Sequence, residues 1–221
     1  MTTWRTWIGG RGLYVYSQIV RHTIRYHVLG KENLDALDAA GRPAIWTSWH
    51  GVTMMISGYL FHNFSSAISD ALVILPDDWR GDTLAEWIRI SGATGFAVSM
   101  QESSLVAARR FLKLVREVKK GKSAYLNPDG PYGPSGVPKP GLAFLASRSG
   151  AAVLPVGLYT RNRAQLKRWD RYSLPFPFGR ITILFGEPLT IAPDEDSGAA
   201  GERIAAAINQ AMAEAEARHP R

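Results

Sequence analysis

Residues 44–61 read AIWTSWHGVTMMISGYLF, an apolar run followed by a helical stretch, with one histidine and one glycine between them. Residues 44–49 predict a buried strand, and residues 52–61 predict a helix that begins directly after it. Residues 43–69 contain no acid or base, which is long enough for a membrane span, but many of them are Ser, Thr, His or Asn. The stretch therefore predicts a strand that leads through His50 into a helix.

The same alternation of apolar runs and helical periods continues along the chain. Residues 103–120 show it most clearly, because apolar side chains recur there every three or four residues while the bases lie on the opposite face. Alternating strands and helices predict an α/β fold in one domain, a largely parallel (mixed) sheet flanked by helices. The predicted strands are 72–75, 96–99, 124–126, 153–158 and 181–185, and the further helices are 82–91, 141–149 and 201–218.

Composition excludes several classes of protein. The 221 residues are 46% hydrophobic and 20% charged, which is typical of a folded domain rather than a disordered chain. There is no cysteine, and the five histidines are scattered without metal-ligand spacing, so no metal site and no resident cofactor are expected. No signal-peptide pattern is present, which favours a location inside the cell.

The positive charge is concentrated in two stretches. The net charge is +7, and residues 1–193 alone carry 23 bases against 13 acids. Residues 1–31 hold five bases and no acid, and residues 109–122 hold seven bases and one acid. This excess predicts an anionic partner, although a basic face that only meets solvent is a common alternative. A nucleic acid is disfavoured because no binding motif is present, so an anionic membrane surface is the expected partner.

The N-terminal stretch has the composition of a segment that lies on a membrane. Between residues 4 and 29, Trp, Tyr and Ile alternate with arginines, as in helices that lie among lipid headgroups. We therefore divide the chain into a basic amphipathic segment, residues 1–31, and an α/β domain, residues 32–221. Peripheral attachment to the cytoplasmic face of the membrane is expected. An ordinary helix packed on the domain is the alternative, because Gly9, Gly10 and Gly12 interrupt the pattern.

Three predicted strand ends carry unusual residues, and in α/β sheets the chemistry lies beyond the carboxyl ends of strands. The first is Ser48-Trp49-His50-Gly51. The second is the turn at residues 127–134, NPDGPYGP, in which prolines and glycines surround Asp129. The third is residues 153–156, VLPV, where a proline inside a strand pattern suggests a bend or a sheet edge. A lone histidine or a Pro–Asp–Gly turn is structural in many proteins, so the combination matters more than each part.

In this order the three strand ends resemble the lysophospholipid acyltransferase (glycerolipid acyltransferase) superfamily. The closest likeness is to its short, uncharacterised bacterial branch of unknown function, which has a Trp-His-Gly start and a Pro-Asp-Gly-Pro-x-Gly-Pro turn. Two later segments also match, RWDRY at residues 168–172 and FGEP at residues 185–188. The resemblance covers roughly residues 43–192.

The resemblance implies transfer of a fatty acyl group from a thioester to a hydroxyl of a lipid acceptor. The donor is left open between acyl-CoA and acyl carrier protein. His50 is the implied general base, a role that suits a neutral imidazole near pH 7. Asp129 is the second candidate catalytic residue. The candidates for binding the acceptor or an oxyanion are Gly51, Gly130, Tyr132 and Gly133.

The sequence departs from the family pattern at functional positions. The family places an Asp five residues after the histidine, and here that residue is Met55, so the carboxylate that orients His50 is expected from Asp129, Asp82 or Asp78, in that order. Ser99 and Tyr132 stand where the family has phosphate-binding arginines, which favours a neutral or zwitterionic acceptor. A non-catalytic lipid or acyl-chain binding protein is the main alternative function. A hydrolase is disfavoured by the absence of a Gly-x-Ser-x-Gly motif.

Overall fold

The computed structural model describes residues 4–63, 71–98 and 105–220. The helices in this part of the chain are α1 (Trp4–Thr23), α2 (Lys31–Ala39), α3 (Thr53–Asn63), α4 (Trp79–Ile90), α5 (Leu105–Lys119), α6 (Pro140–Ser149) and α7 (Ser197–Ala217), with a 3-10 turn at His50–Val52. The strands are β1 (Arg25–Leu29), β2 (Ala44–Thr47), β3 (Leu72–Pro76), β4 (Thr94–Val98), β5 (Ala124–Tyr125), β6 (Ala152–Tyr159), β7 (Arg163–Gln165), β8 (Ser173–Pro175) and β9 (Arg180–Phe185).

Seven of these strands form one mixed sheet in the order β1-β9-β6-β2-β5-β3-β4. The pairs β6·β2, β2·β5, β5·β3 and β3·β4 are parallel, whereas β9 runs antiparallel to β6 and parallel to β1. Strands β7 and β8 form a separate antiparallel hairpin between β6 and β9. The predicted fold class, a single α/β domain with a largely parallel sheet flanked by helices, is confirmed.

The helices divide between the two faces of the sheet as right-handed crossovers require. The connections through α3 and α4 lead from β2 to the edge strand β4, whereas those through α5 and α6 lead back from β4 to β6. These two pairs of helices therefore cover opposite faces of the sheet. Helix α1 contacts α3 and α4, whereas α5 contacts α6 and α6 contacts α7. Two large buried clusters result, one on the α3 side of the sheet and one beneath α5, α6 and α7.

The sequence-based prediction was wrong about part of the N-terminal segment. The helix ends at Thr23, and residues 25–29 form β1, an edge strand whose Arg25 is in register with Arg180 of β9. Helix α2 and the β7–β8 hairpin were also missed. Each of these elements is short or rich in charge, so its apolar period is too weak to detect. Strand β6 is interior, and Pro155 lies opposite Thr47, the last residue of β2.

Glycines in α1 permit a close contact between helices. A Cβ on Gly10 would lie 2.7 Å from the Cβ of Glu86, and one on Gly9 would lie 3.1 Å from a methyl group of Thr83. Arg11 on α1 forms an ion pair with Glu86 at 3.8 Å. Gly9 and Gly10 therefore bring α1 against α4 without ending the helix.

The sides of α1 are arranged contrary to the usual amphipathic pattern. Its buried residues are Thr6, Gly10, Ser17 and Val20, mostly small or polar. Its exposed side, which we call the outer face of α1, presents Trp4, Trp7, Ile8, Val15 and Ile19, each at least 45% exposed. Arginine side chains lie over both tryptophan rings, Arg5 over Trp4 and Arg11 over Trp7. None of the helices described is long and apolar enough to cross a membrane.

Candidate active site

His50 lies at the carboxyl end of β2, where the chain enters a 3-10 turn before α3. Its ring nitrogen Nδ1 is 2.7 Å from Oδ2 of Asp170, whose side chain is 0% exposed. A carboxylate oxygen can only accept, so Nδ1 carries the hydrogen and donates it. The other ring nitrogen, Nε2, is then left unprotonated in the neutral imidazole and can accept a proton.

Neighbouring groups fix the His50 ring in place. The ring centroid lies 5.4 Å from that of Trp169 and 5.8 Å from that of Tyr172. A Cβ on Gly130 would be only 3.0 Å from Cδ2 of His50, so this glycine allows the turn to approach the edge of the ring. These three contacts, together with the hydrogen bond from Nδ1, fix the orientation of the imidazole ring.

Asp170 reaches His50 from the loop between β7 and β8. Its Oδ1 accepts the backbone N–H of Tyr172 at 3.2 Å and lies 3.4 Å from Nε of Arg168. A Cβ on Gly51 would be 2.1 Å from the backbone carbonyl oxygen of Asp170. Only glycine at position 51 therefore allows the loop to come close enough for the carboxylate to contact the ring.

Asp129 is also buried, but it contacts the backbone of His50 rather than the ring. Its Oδ1 accepts the N–H of His50 at 3.0 Å, and its Oδ2 accepts the N–H of Gly136 at 3.2 Å. Burial raises the pKa of Asp129 above its ordinary value, and the two N–H donors oppose that shift. The role of this carboxylate is to fix the start of the 3-10 turn against the 127–134 turn.

The carboxylate that contacts the ring is therefore Asp170, which corrects the prediction of Asp129, Asp82 or Asp78 for this role. Asp129 holds the backbone, as described. Asp78 caps the N-terminus of α4 through the N–H groups of Arg80 and Gly81 and hydrogen bonds to the guanidinium of Arg80. Asp82 is exposed on the first turn of α4. Asp170 is 120 positions from His50 in sequence, and only the β7–β8 hairpin brings it to the site.

The glycines of the 127–134 turn use their N–H groups within the turn itself. Gly130 donates to the carbonyl of Asn127 at 3.3 Å, and Gly133 donates to the carbonyl of Asp129 at 3.1 Å. Both are thus engaged and do not point as free donors toward His50. Gly133 has φ 74°, and a Cβ there would be 2.5 Å from the Trp169 ring, so its role is close packing. The Tyr132 hydroxyl donates to Asp78 at 3.2 Å.

Sequence reasoning missed a polar network beside His50. Asn127 donates from Nδ2 to the carbonyl of Ser48 at 2.8 Å and to the hydroxyl of Tyr125 at 3.1 Å. Thr53 donates to the carbonyl of His50 at 2.9 Å. Tyr125 and Asn127 sit at the end of β5, beside β2 in the sheet. The rule that functional groups lie at strand ends could have pointed to both residues. Their hydrogen-bond partners could not be predicted, because these depend on the three-dimensional fold.

A cavity of about 410 Å³ opens beside His50. Its walls come from most of β3, the inner side of α4, one residue of α1 and the β7–β8 hairpin. Polar groups lie near His50, and apolar side chains line most of the rest. The apolar lining includes Leu13, Val73, Leu75, Leu84, Trp87, Ile88, Leu166 and Leu174.

Positions 55 and 99 are two places where the sequence departs from the family pattern. Met55 is 1% exposed and belongs to the buried cluster with Trp46 and Phe185, so the position where the resemblance places an Asp lies in the core. Ser99 falls outside the described residues. The structure therefore accounts for the missing carboxylate at position 55 by supplying Asp170.

Comparison with known proteins supports the fold more strongly than the activity. No protein-family model matches the chain. An uncharacterised protein of Rickettsia prowazekii (strain Madrid E) is 26% identical over 186 residues, which cover 83% of this chain and 81% of that protein. The crystal structure of the 1-acyl-sn-glycerophosphate (LPA) acyltransferase PlsC from Thermotoga maritima matches with a TM-score of 0.63 at 18% identity.

The match to the Thermotoga structure covers 96% of this chain and 81% of the other. The chain thus shares the fold of a lysophosphatidate acyltransferase. At this level of identity the likeness establishes the fold alone. The closer likeness to the short bacterial branch stays a prediction.

Proposed function

We propose that this protein transfers a fatty acyl group from a thioester to a hydroxyl of a lipid acceptor, with His50 as general base. The observation that carries the proposal is the His50–Asp170 pair, 2.7 Å apart, with His50 lining a largely apolar cavity. The geometry supplies a base with a fixed tautomer and a space suited to an acyl chain. The fold of the Thermotoga acyltransferase supports the same chemistry.

In this proposal, Nε2 of His50 accepts the proton of the acceptor hydroxyl as the oxygen attacks the thioester carbonyl. The carbonyl oxygen becomes an oxyanion in a tetrahedral intermediate. The carbon–sulfur bond then breaks, and the protonated Nε2 returns its proton to the leaving thiolate. The products are an ester and a free thiol, and the buried Asp170 carboxylate stabilises the imidazolium between the two proton transfers.

The alternative function, non-catalytic binding of a lipid or acyl chain, rested on the loss of an orienting carboxylate at position 55. Asp170 removes that argument, because its oxygen contacts Nδ1 directly. A binding protein has no need to bury a carboxylate behind a histidine that faces the cavity. The deciding assay uses purified protein, labelled acyl-CoA or acyl carrier protein, and a lipid extract. Appearance of a labelled lipid ester supports transfer, whereas binding of label without product supports the alternative.

We predict that the cavity limits the length of the acyl chain. Leu84 lines the cavity from α4, so Leu84→Trp fills part of it. We expect the ratio of long-chain to short-chain donor use to fall about tenfold, because each methylene excluded from an apolar pocket reduces transition-state binding. Transfer from the shortest donor should be retained. Leu112→Trp, on α5 outside the cavity, is the matched control, and an unchanged chain preference in Leu84→Trp contradicts this use of the cavity.

The charges around the cavity support a neutral or zwitterionic acceptor. Arg80 lines the cavity, but its guanidinium hydrogen bonds to Asp78 and lies 4.8 Å from the centroid of the Tyr132 ring. The hydrogen bond from Arg80 holds the pKa of Asp78 below its ordinary value, so Asp78 is ionised and offsets the positive charge. Arg168, also in the lining, has its Nε 3.4 Å from Oδ1 of Asp170. Arg89, further along α4, instead pairs with Glu86.

We predict that Asp78→Asn shifts acceptor preference toward a phosphate monoester. Asparagine keeps the helix cap but removes the charge that offsets Arg80. The wild type should prefer monoacyl phosphatidylcholine to lysophosphatidate, and the variant should reduce that preference about tenfold, because the freed guanidinium can bind the phosphate. Glu86→Gln, which frees Arg89 instead, should change nothing. Efficient use of lysophosphatidate by the unmodified protein would contradict the proposed acceptor class.

We also propose that the protein attaches peripherally to the cytoplasmic face of the membrane through the outer face of α1. A soluble helix normally buries its large apolar side chains, but α1 exposes five of them among arginines, and its buried residues are mostly small or polar. The basic residues 109–122 were expected to contribute to the same contact. Helix α5 packs with α6 on the opposite face of the sheet from α1, so one flat bilayer cannot cover the outer sides of both helices.

A further inference from the structure

Two phenylalanines between β8 and β9 are exposed to solvent, away from the site described above. Phe176 is 53% exposed and Phe178 is 77% exposed. Phe178 also has φ 62°, a left-handed conformation that glycine and asparagine adopt far more readily. Neither burial nor backbone preference within the chain explains a phenylalanine at this position. We call residues 176–178 the aromatic loop.

The aromatic loop runs beside the C-terminal half of α1. The hydroxyl of Tyr16 donates to the carbonyl of Pro175 at 2.7 Å, directly before the loop. The N–H of Arg25 donates to the carbonyl of Gly179 at 3.1 Å, directly after it. Ile19, on the outer face of α1, lies between these two points along the chain. The residues on both sides of the loop are therefore hydrogen bonded to α1 or to the strand that directly follows it.

The surroundings of the aromatic loop are strongly basic. Residues 161–180 carry six bases and one acid, Asp170, which is buried. Arg25 and Arg161 are both exposed and flank the loop, since the N–H of Phe176 donates to the carbonyl of Asn162, next to Arg161. The pKa of nearby His219 is lowered by burial and also by the charges of Arg161 and Arg180. Exposed aromatic rings among guanidinium groups complement a layer of anionic lipid headgroups.

We propose that the aromatic loop, with Arg25 and Arg161 beside it, is a second membrane-contacting element that inserts next to α1 into a bilayer containing anionic lipid. The two elements also share the cavity, because Leu13 of α1 and Leu174 of β8 both line it. Contact through both elements brings one wall of the cavity close to the lipid, so that a lipid substrate enters directly from the bilayer. This last step rests on the proposed function, whereas the contact itself does not.

The test measures sedimentation of the full chain with vesicles of phosphatidylcholine, with and without phosphatidylglycerol, and needs no thioester. Phe176→Ser combined with Phe178→Asn should lower partitioning onto both kinds of vesicle by about tenfold or more, because two apolar side chains no longer insert. Arg25→Gln combined with Arg161→Gln should lower binding about tenfold only where phosphatidylglycerol is present, and should weaken its dependence on salt.

Phe144→Ser is the matched control, since Phe144 is a partly exposed phenylalanine on α6, on the other side of the sheet. Its binding to vesicles should equal that of the wild type. Thermal unfolding checks that the loop variant is folded, and asparagine at position 178 should not lower the melting temperature. A folded loop variant that binds vesicles as the wild type does overturns the proposal. So does a variant that only converts a dimer to a monomer, which would assign the loop to a second copy of the chain.

Discussion

His50→Ala should reduce acyl transfer about a thousandfold or more while the protein still folds. Removing the imidazole removes the group that takes the hydroxyl proton and returns it to the thiolate, and both transfers depend on the same nitrogen. The measurement is the initial rate of ester formation from labelled thioester, with thermal unfolding on the same preparation. An activity loss below about tenfold is too small for the removal of a general base and would exclude this role for His50.

A second variant protects this test from an effect on folding. In His50→Ala the buried carboxylate of Asp170 loses its ring partner, which can destabilise the loop that carries it. In His50→Gln the side-chain amide can still donate to Asp170, but it cannot accept a proton as imidazole does. His50→Gln should therefore unfold close to the wild-type temperature and be as inactive as His50→Ala. A folded His50→Gln variant with full activity would contradict general-base catalysis by His50.

The parts of the fold that were predictable from the sequence are those with a strong apolar period. Strand β6 and helices α5 and α7 are long and regular, and their predicted bounds differ from the observed ones by a few residues. Strand β1 reads RYHVL and was taken as the end of a helix, because Arg25 and His27 hide the alternation of a half-exposed edge strand. Tertiary pairing with β9, rather than local preference, makes these five residues a strand.

The candidate site was predictable only where local sequence determines it. His50 follows a buried strand, so its place at the carboxyl edge of the sheet followed from the fold class. Its partner did not follow, since Asp170 lies on a hairpin inserted after β6 and nothing in the spacing of the two residues relates them. A signal was present in the sequence, because Asp170 is the sole acid among six bases in residues 161–180. An acid in such a setting is a candidate for a buried partner.

Asp170→Asn should lower the rate of transfer by a factor of about 10² to 10⁴ with little change in the KM for either substrate. Asparagine can present its amide N–H to Nδ1 of His50, which moves the ring hydrogen to Nε2 and leaves no acceptor for the hydroxyl proton. The new residue has nearly the same shape, so the cavity and the aromatic contacts of the ring should be kept. The separation of kcat from KM distinguishes this effect from a collapse of the loop.

Asp129→Asn is the matched comparison, because Asp129 was ranked first from the sequence and is buried next to the same histidine. An asparagine Oδ1 can still accept the N–H of His50, so we expect less than about a tenfold loss of rate. Burial raises the pKa of Asp129, so the folded state binds this proton more tightly than the unfolded state. The contribution of Asp129 to stability therefore falls as the pH rises from 3.8, the ordinary pKa of this carboxyl, toward its raised pKa in the folded state. The Asp129→Asn variant should not show this loss. If Asp129→Asn were instead as inactive as Asp170→Asn, the ring contact would not be what sets the chemistry, and Asp129 would take the orienting role.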